Sequence, residues 1–324
     1  MKDFIQENLK LSLFLFFLLF LSGRIGLLIH EFAGHALSWQ LLGGKLESFK
    51  LFLFGGGRVH FGWTAKVDTL RPVSFLFVKL SGVISEFLIG SLLAFMAIAF
   101  KTNRLTNALL SVTSGVLIVH SFFYLLIGAY DGSGDGGIIF NTLHGNARHA
   151  FLIVTFLFTV GGAFLVSFLF SPVVKSWTKN SHSKHPLFLI VLSVSVAVIL
   201  HGTLTVVEQT MFKDSVYAEM KTSANDRLME KSLSEFIETF AEKHGRTATP
   251  EEIDAARKEL EMKYRQFNLE IPAGVAVFVA FLAGYLLSGN RKHNGSNPVT
   301  WKDNYILGSA SLITAALIVT LNQP

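Results

Sequence analysis

The chain has 324 residues, of which 51% are hydrophobic and only 16% charged, with 31 Phe and no Cys; soluble domains carry about a quarter charged residues. This composition points to a membrane protein and excludes disulfides and thiolate metal ligands, which leaves His, Asp and Glu for any metal. The net charge of +5 is scattered over short loops with no aromatic-interleaved basic patch, so no nucleic acid is expected as a partner; basic loops suit a lipid bilayer with anionic headgroups.

A run of about 20 mostly apolar residues can cross roughly 30 Å of hydrocarbon, and the sequence offers seven. The first, 11 to 40, is overlong and holds Arg24. Lys10 leads into it without a small-residue cleavage site, so the segment reads as retained and not as a signal peptide. Inside it lies LLIHEFAGHAL, residues 27 to 37. In the pattern His-Glu-x-x-His, two histidines one turn apart grip zinc and the glutamate activates a water. Here His30 and His35 are five apart, with Glu31 between them. On a regular helix such positions point roughly 140° away from each other. A single-turn π-bulge absorbs one extra residue, and Gly34 is the residue best able to tolerate the distortion. His-Glu-x-x-Gly-His resembles the zinc motif of the dipeptidyl-peptidase III family, a soluble family otherwise unlike this chain.

After this span, KLESFKLFLFGGGRVHFGWTAKV reads as two short strands joined by a Gly turn. It is either an ordinary surface hairpin or an edge able to pair with an extended peptide. The second span, 73 to 100, carries Glu86, and the third, 106 to 130, carries His120; both are expected to bend. Glu86 has two readings: a hydrogen bond or peptide contact within a site, or an interhelical partner such as Arg24 or Lys79. His120 either supports a metal ligand or simply packs.

A catalytic zinc takes three protein ligands and keeps an open position, so a third buried His, Asp or Glu is needed. Only nine acids lie outside 208 to 270, and four of them, Glu31, Glu86, Asp131 and Asp135, fall in or beside apolar spans. Ionisable groups at membrane depth are functional candidates by default. In LLIGAYDGSGDGGIIF the best third ligand is Asp135, expected at a helix N-terminus with Gly136 and Gly137 beside it; Asp131 is the substitute. His60, His144, His149 and His201 read as interfacial.

The fourth and fifth spans are 150 to 171 and 186 to 206. Residues 208 to 270 then hold 10 Lys/Arg and 14 Asp/Glu, a soluble helical insertion. One helix covers about 225 to 243 and stops near Gly245. The next opens with Thr249 as N-cap, Pro250, Glu251 and Glu252. This insertion is either a solvated linker domain or a docking site for a protein partner. The sixth and seventh spans are 271 to 289 and 304 to 321. The expected fold is an all-α polytopic membrane protein of about seven transmembrane helices, with a short β-hairpin after the first span. Its divisions are a membrane core at 1–145, further transmembrane helices at 146–207, the insertion at 208–270 and C-terminal transmembrane helices at 271–324.

A His-Glu-x-x-His-like motif in the first span, a strand region after it and a later Asp-Gly-Gly resemble the site-2 protease family of intramembrane zinc metallopeptidases. HALSWQLLGGKLESFKLFLFGGGRVHFGW and KLSGVISEFLIGSLLA are similar to its bacterial branch related to the sporulation-factor-processing enzyme. The resemblance covers roughly residues 20 to 145. It implies one zinc per chain held by His30, His35 and Asp135, Glu31 as general base, a membrane-protein substrate and a bacterial cytoplasmic membrane. The sequence departs from the family in three places. The first motif carries one extra residue, YDGSG replaces an Asn- and Pro-bearing stretch before Asp-Gly-Gly, and Gly82 and Glu86 stand where many members have Gly-Pro and Asn. Two rivals to a peptidase are a catalytically inactive membrane scaffold of the same fold and a transporter whose ion path uses Glu86, His120 and Asp135.

Overall fold

The structure, a computed structural model, describes residues 2–62, 64, 72–100, 103–131, 134–178, 186–211, 224–264, 270–288 and 299–322. The N-terminal apolar run forms helix α1 (Lys2–Leu28), which passes without a break into a π-helical segment (Ile29–Ala36) and a last α-helical stretch, α2 (Leu37–Leu41). Gly43, with φ 92°, ends it, as left-handed glycines commonly end helices. Strands β1 (Lys45–Leu51) and β2 (Gly57–Gly62) pair antiparallel, Lys45 opposite Gly62 and Leu51 opposite Gly57, with an irregularity between Leu46 and Ser48. The helices that follow are α3 (Pro72–Ala99), α4 (Arg104–Asp131), α5 (Gly134–Thr142), α6 (Asn146–Trp177), α7 (Pro186–Met211), α8 (Ala224–His244), α9 (Pro250–Tyr264), α10 (Glu270–Leu287) and α11 (Trp301–Leu321).

Among the described residues, six helices are long and apolar enough to cross a membrane: Asp3–Leu41, Ser74–Ala99, Arg104–Tyr130, Asn146–Trp177, Pro186–Met211 and Trp301–Leu321. The protein is therefore a predominantly helical membrane protein with one small two-stranded sheet. The remaining expected span, 271 to 289, is the shorter apolar helix α10. Its 18 residues reach about 27 Å at 1.5 Å each, just under the roughly 30 Å of hydrocarbon. Arg24 does not interrupt the first span.

The chain divides into two compact units, the first comprising Met1–Phe122, Leu157–Met211 and Ala276–Pro324, the second Phe123–Phe156 and Phe212–Val275. In the first unit α1 is the central element, packed along α7 and α11. Leu11, Phe14, Leu15 and Leu18 meet Val173, Trp177, Leu189 and Leu307 in one buried cluster. Phe14 meets Trp177 edge-on at 5.3 Å. Opposite this kind of packing, Phe77, Ile84, Leu88, Leu92 and Phe95 of α3 are exposed, a large apolar stripe that suits lipid and not water.

The turn of the β-hairpin is held by side chains from three helices. Arg24 of α1 donates to the carbonyls of Phe52 and Gly55. The Glu208 carboxylate of α7 accepts the N–H groups of Leu53, Phe54 and Gly55 at 2.6, 2.8 and 2.9 Å. Asn322, after α11, accepts the Leu51 N–H at 2.9 Å and donates back to the Leu51 carbonyl. Such side chains satisfy turn backbone groups that make no ladder hydrogen bonds of their own.

In the second unit, α8 and α9 pack as a helical hairpin. Gly245, with φ 62°, ends α8. The Thr249 hydroxyl accepts the Glu252 N–H while the Glu252 carboxylate accepts the Thr249 N–H, a reciprocal cap that satisfies two orphan amides. Arg246 clasps the same carboxylate at 2.8 and 2.9 Å.

Two outcomes are expected. Glu208→Ala should speed hydrogen exchange at the Leu53, Phe54 and Gly55 amides, since hydrogen bonds to charged groups contribute about 1.5–3 kcal/mol each. Glu208→Gln, which keeps one acceptor oxygen, should fall between; exchange measured on the full chain in lipid nanodiscs checks both. The Glu252 carboxyl is held down at about 2, first by the Arg246 hydrogen bond and then by the Thr249 N–H. A depressed carboxyl stabilises above its ordinary value and loses that contribution as pH falls towards the depressed one. Protection factors at amides 251–253 should therefore fall between pH 5 and pH 2 in the unmodified chain, and be lower but flat in Glu252→Gln.

Candidate metal centre

The extra residue between the two histidines is absorbed by unwinding of the helix. Residues Ile29–Ala36 are π-helical, and at their end the Leu37 N–H bonds the carbonyl of Phe32, five residues back, and that of Gly34. The consequence is that His30 and His35, both buried, face one another: their Nε2 atoms lie 3.1 Å apart and their ring planes stand at 84°. A regular α-helix would have splayed them roughly 140°.

Helix α3 packs against the π segment and supplies its polar surroundings from one face. The Val78 carbonyl accepts the His35 Nδ1–H at 2.7 Å. Ser81 and Ser38 share a 2.8 Å hydrogen bond, and Ser85 donates to the Ala33 carbonyl at 3.3 Å. Glu86, 1% exposed, brings Oε1 to 3.6 Å from His30 Nδ1. Positions 78, 81, 82, 85 and 86 recur at helical spacing, so one stripe faces the π segment.

Gly34 serves close approach. It is absent from the left-handed glycines, which are Gly43, Gly134, Gly145 and Gly245, so its torsions did not require glycine. A Cβ there would instead run into the Gly82 Cα, with Gly82 N at 2.7 Å and Ser81 O at 2.9 Å. Gly82 in turn borders the histidines: its Cβ would lie 2.7 Å from His30 Nε2 and 2.8 Å from His35 Nε2.

Glu31 is buried in the π segment, its Cγ 3.4 Å from where a side chain on Gly57 would begin. In the second unit, Asp135 is buried in the first turn of α5, as expected from the sequence, and its N–H donates to the Tyr124 hydroxyl at 3.3 Å. Gly134 takes φ +53° against that tyrosine, and a Cβ on Gly136 would collide with the Leu125 carbonyl; small residues thus let α5 turn back closely on α4. Asp131 closes α4, and its side chain lies outside the described residues.

The sequence left Glu86 open between a hydrogen bond or peptide contact within the site and an interhelical partner such as Arg24 or Lys79. Its carboxylate meets His120 Nδ1 of α4 at 3.2 and 3.3 Å as well as His30, whereas Arg24 reaches the hairpin carbonyls. His201, read as interfacial, packs its ring on Phe54 at 5.4 Å. Glu208 and Asn322 were missed. An acid in the last turn of an apolar helix was the available signal for Glu208, but its partners are backbone amides some 150 residues away, which no side-chain pattern announces.

The two imidazoles fit a metal ion. The Val78 carbonyl can only accept, so His35 carries its proton on Nδ1 and turns a lone pair outward at Nε2. Two nitrogens bound to one tetrahedral zinc at about 2.0–2.1 Å sit roughly 3.3–3.4 Å apart, close to the 3.1 Å seen here. Gly82 leaves clear the space that a Cβ would fill beside both nitrogens. No family model, curated protein or solved structure matches the chain.

Any zinc taken up between the two Nε2 atoms should therefore be lost in Gly82→Ala, read by chelator-competition titration of a chain that still folds. Gly34→Ala presses on backbone and should instead lower stability, by about 1–3 kcal/mol as overpacking does, read by thermal unfolding in detergent. Wild-type zinc affinity in Gly82→Ala would rule out the space beside the two Nε2 atoms as the binding position.

Proposed function

We propose that the protein is a zinc-dependent intramembrane endopeptidase that hydrolyses peptide bonds in or near transmembrane segments of other membrane proteins. The observation that carries this reading is the convergence of His30 and His35 Nε2 across a π-helical turn, with Glu31 between them in sequence. Asp135 is the proposed third ligand. All three residues are buried. A His, His, Asp set with no thiolate leaves a fourth position open for water.

A bound zinc would lower the pKa of its water towards 7 and polarise the scissile carbonyl. Glu31 would take the proton from the attacking water on a carboxylate oxygen and deliver it to the departing amide nitrogen. The water oxygen joins the carbonyl carbon as the C–N bond breaks. His35, its Nδ1–H held by the Val78 carbonyl, would offer its Nε2 lone pair to the ion. The substrate helix must unwind locally, since its amides are otherwise engaged in their own hydrogen bonds.

One observation also suits a non-catalytic scaffold: at 3.1 Å the two Nε2 atoms could share a hydrogen bond. Metal content separates the readings. The purified chain should hold about one zinc, lost in His30→Ala and His35→Ala and weakened in Asp135→Ala. Glu31→Gln should keep the zinc and lose cleavage of a single-span reporter substrate in liposomes by roughly 10²–10⁴-fold, the range for a general base. A chain without stoichiometric metal would sink the peptidase reading in favour of the scaffold. Ion flux that survives Glu31→Gln would favour a transporter.

A further inference from the structure

Glu86 is the buried ionic group that the proposed chemistry leaves unused. It lies deep in α3, 1% exposed, in a helix whose only other charged residue is Lys79. Its carboxylate stands between two imidazoles: His30 Nδ1 of the π segment at 3.6 Å, and His120 Nδ1 of α4 at 3.2 Å to Oε1 and 3.3 Å to Oε2. The His120 ring is half exposed, the Glu86 carboxylate is not. Gly26 of α1 borders the same spot, where a Cβ would lie 3.9 Å from Glu86 Oε1 and 3.2 Å from Leu117. Four elements thus close round one carboxylate.

The orientation of His30 gives this arrangement its meaning. Its Nε2 faces His35 and its Nδ1 faces Glu86, so the ring is directed at both ends. His35 is directed in the same way, its Nδ1–H held by the Val78 carbonyl at 2.7 Å. The two Nδ1 atoms therefore face unlike oxygens, a neutral carbonyl that accepts a hydrogen bond and a carboxylate at ion-pair distance. A carboxylate behind a metal-bound imidazole fixes the tautomer and raises the basicity of the ligand nitrogen. Such a buried charge also needs compensation, which His120 supplies from the other side.

We infer that Glu86 is a positioning residue that sets the tautomer and direction of His30 for metal binding, and that His120 holds Glu86 in place for that task. The inference rests on the metal reading given above. The competing account is that Glu86 and His120 form only a tie between α3 and α4, with His30 a bystander.

Cobalt(II), whose visible bands report on its ligands, is the probe. Affinity and spectrum are measured on the full chain in detergent for the unmodified protein, His35→Ala, Glu86→Gln, Glu86→Ala and His120→Gln, alongside the thermal stability of each metal-free chain. Loss of an outer partner of this kind weakens metal binding about 10–100-fold. That range is expected for Glu86→Ala, with a changed cobalt spectrum. Glu86→Gln, which keeps an acceptor oxygen without the charge, should lose less, and His120→Gln least. A mere tie between helices would lower metal-free stability and leave cobalt affinity and spectrum unchanged; that result in Glu86→Gln and Glu86→Ala overturns the inference. If Glu86→Ala does not fold, the near-isosteric Glu86→Gln decides alone, by its affinity and spectrum. Absence of cobalt binding in the unmodified chain, or its persistence in His35→Ala, would overturn the metal reading itself, so the two failures are distinguishable.

Discussion

Everything at this site depends on one local departure from α-helical winding. Five residues separate His30 from His35, and a helix of 3.6 residues per turn cannot point both inward. The π segment Ile29–Ala36 does so. Neighbouring hydroxyls bond its carbonyls: Ser85 donates to the Ala33 carbonyl and Ser38 to the His35 carbonyl. Each of these is a short side chain that can reach a main-chain oxygen without displacing a packed neighbour. The distortion is thus part of the packing with α3 and not a property of the first helix alone.

The same logic governs the rest of the first unit. In an apolar medium each buried polar group needs a partner inside the protein, and the partners here are far apart in sequence. Ser22 meets Thr113, Asn304 donates to the Lys10 carbonyl, and Arg104 pairs with Asp303, which also caps α11 through Thr300. The hairpin turn is the most demanding case, because it offers several backbone groups in no regular structure. Arg24, Glu208 and Asn322 answer them with charge on one side and an amide on the other. The hairpin in turn touches the π segment, Phe49 against Phe32 at 5.0 Å. Helices α7 and α11, which carry none of the proposed ligands, thereby fix an element that borders the histidines.

What the sequence made legible was local. Apolar runs located the six spanning helices, although the first begins at Asp3 and not at 11, and the fourth runs to Trp177 and not to 171. The five-residue histidine spacing predicted unwinding at Gly34, and the Thr249 cap was readable from residue order, though not its reciprocal bond with Glu252. At 271 to 289, where the sequence offers a seventh span, the structure has the shorter apolar helix α10. What stayed hidden was pairwise. Glu86 was flagged by its charge at depth, yet whether it met Arg24, Lys79, His30 or His120 depends on helix packing. Gly34 was read for its torsional freedom, when the packing shows a backbone contact with Gly82 that no single sequence reveals.

A pattern on α3 nevertheless contains the missing information. Ser81, Gly82, Ser85 and Glu86 are four of the small and polar residues of KLSGVISEFLIGSLLA, and they fall at i, i+1, i+4 and i+5, one face of a helix. On a helix whose other face presents Phe77, Ile84, Leu88 and Leu92 outward, such a stripe marks where another backbone comes close. The glycine admits the approach, the serines satisfy what the approach exposes, and the carboxylate meets an imidazole. The π segment and α3 are for this reason a matched pair. A stripe rebuilt from larger apolar residues would push the two helices apart, and the histidines would lose the Val78 carbonyl, the Glu86 carboxylate and the open space at Gly82 together.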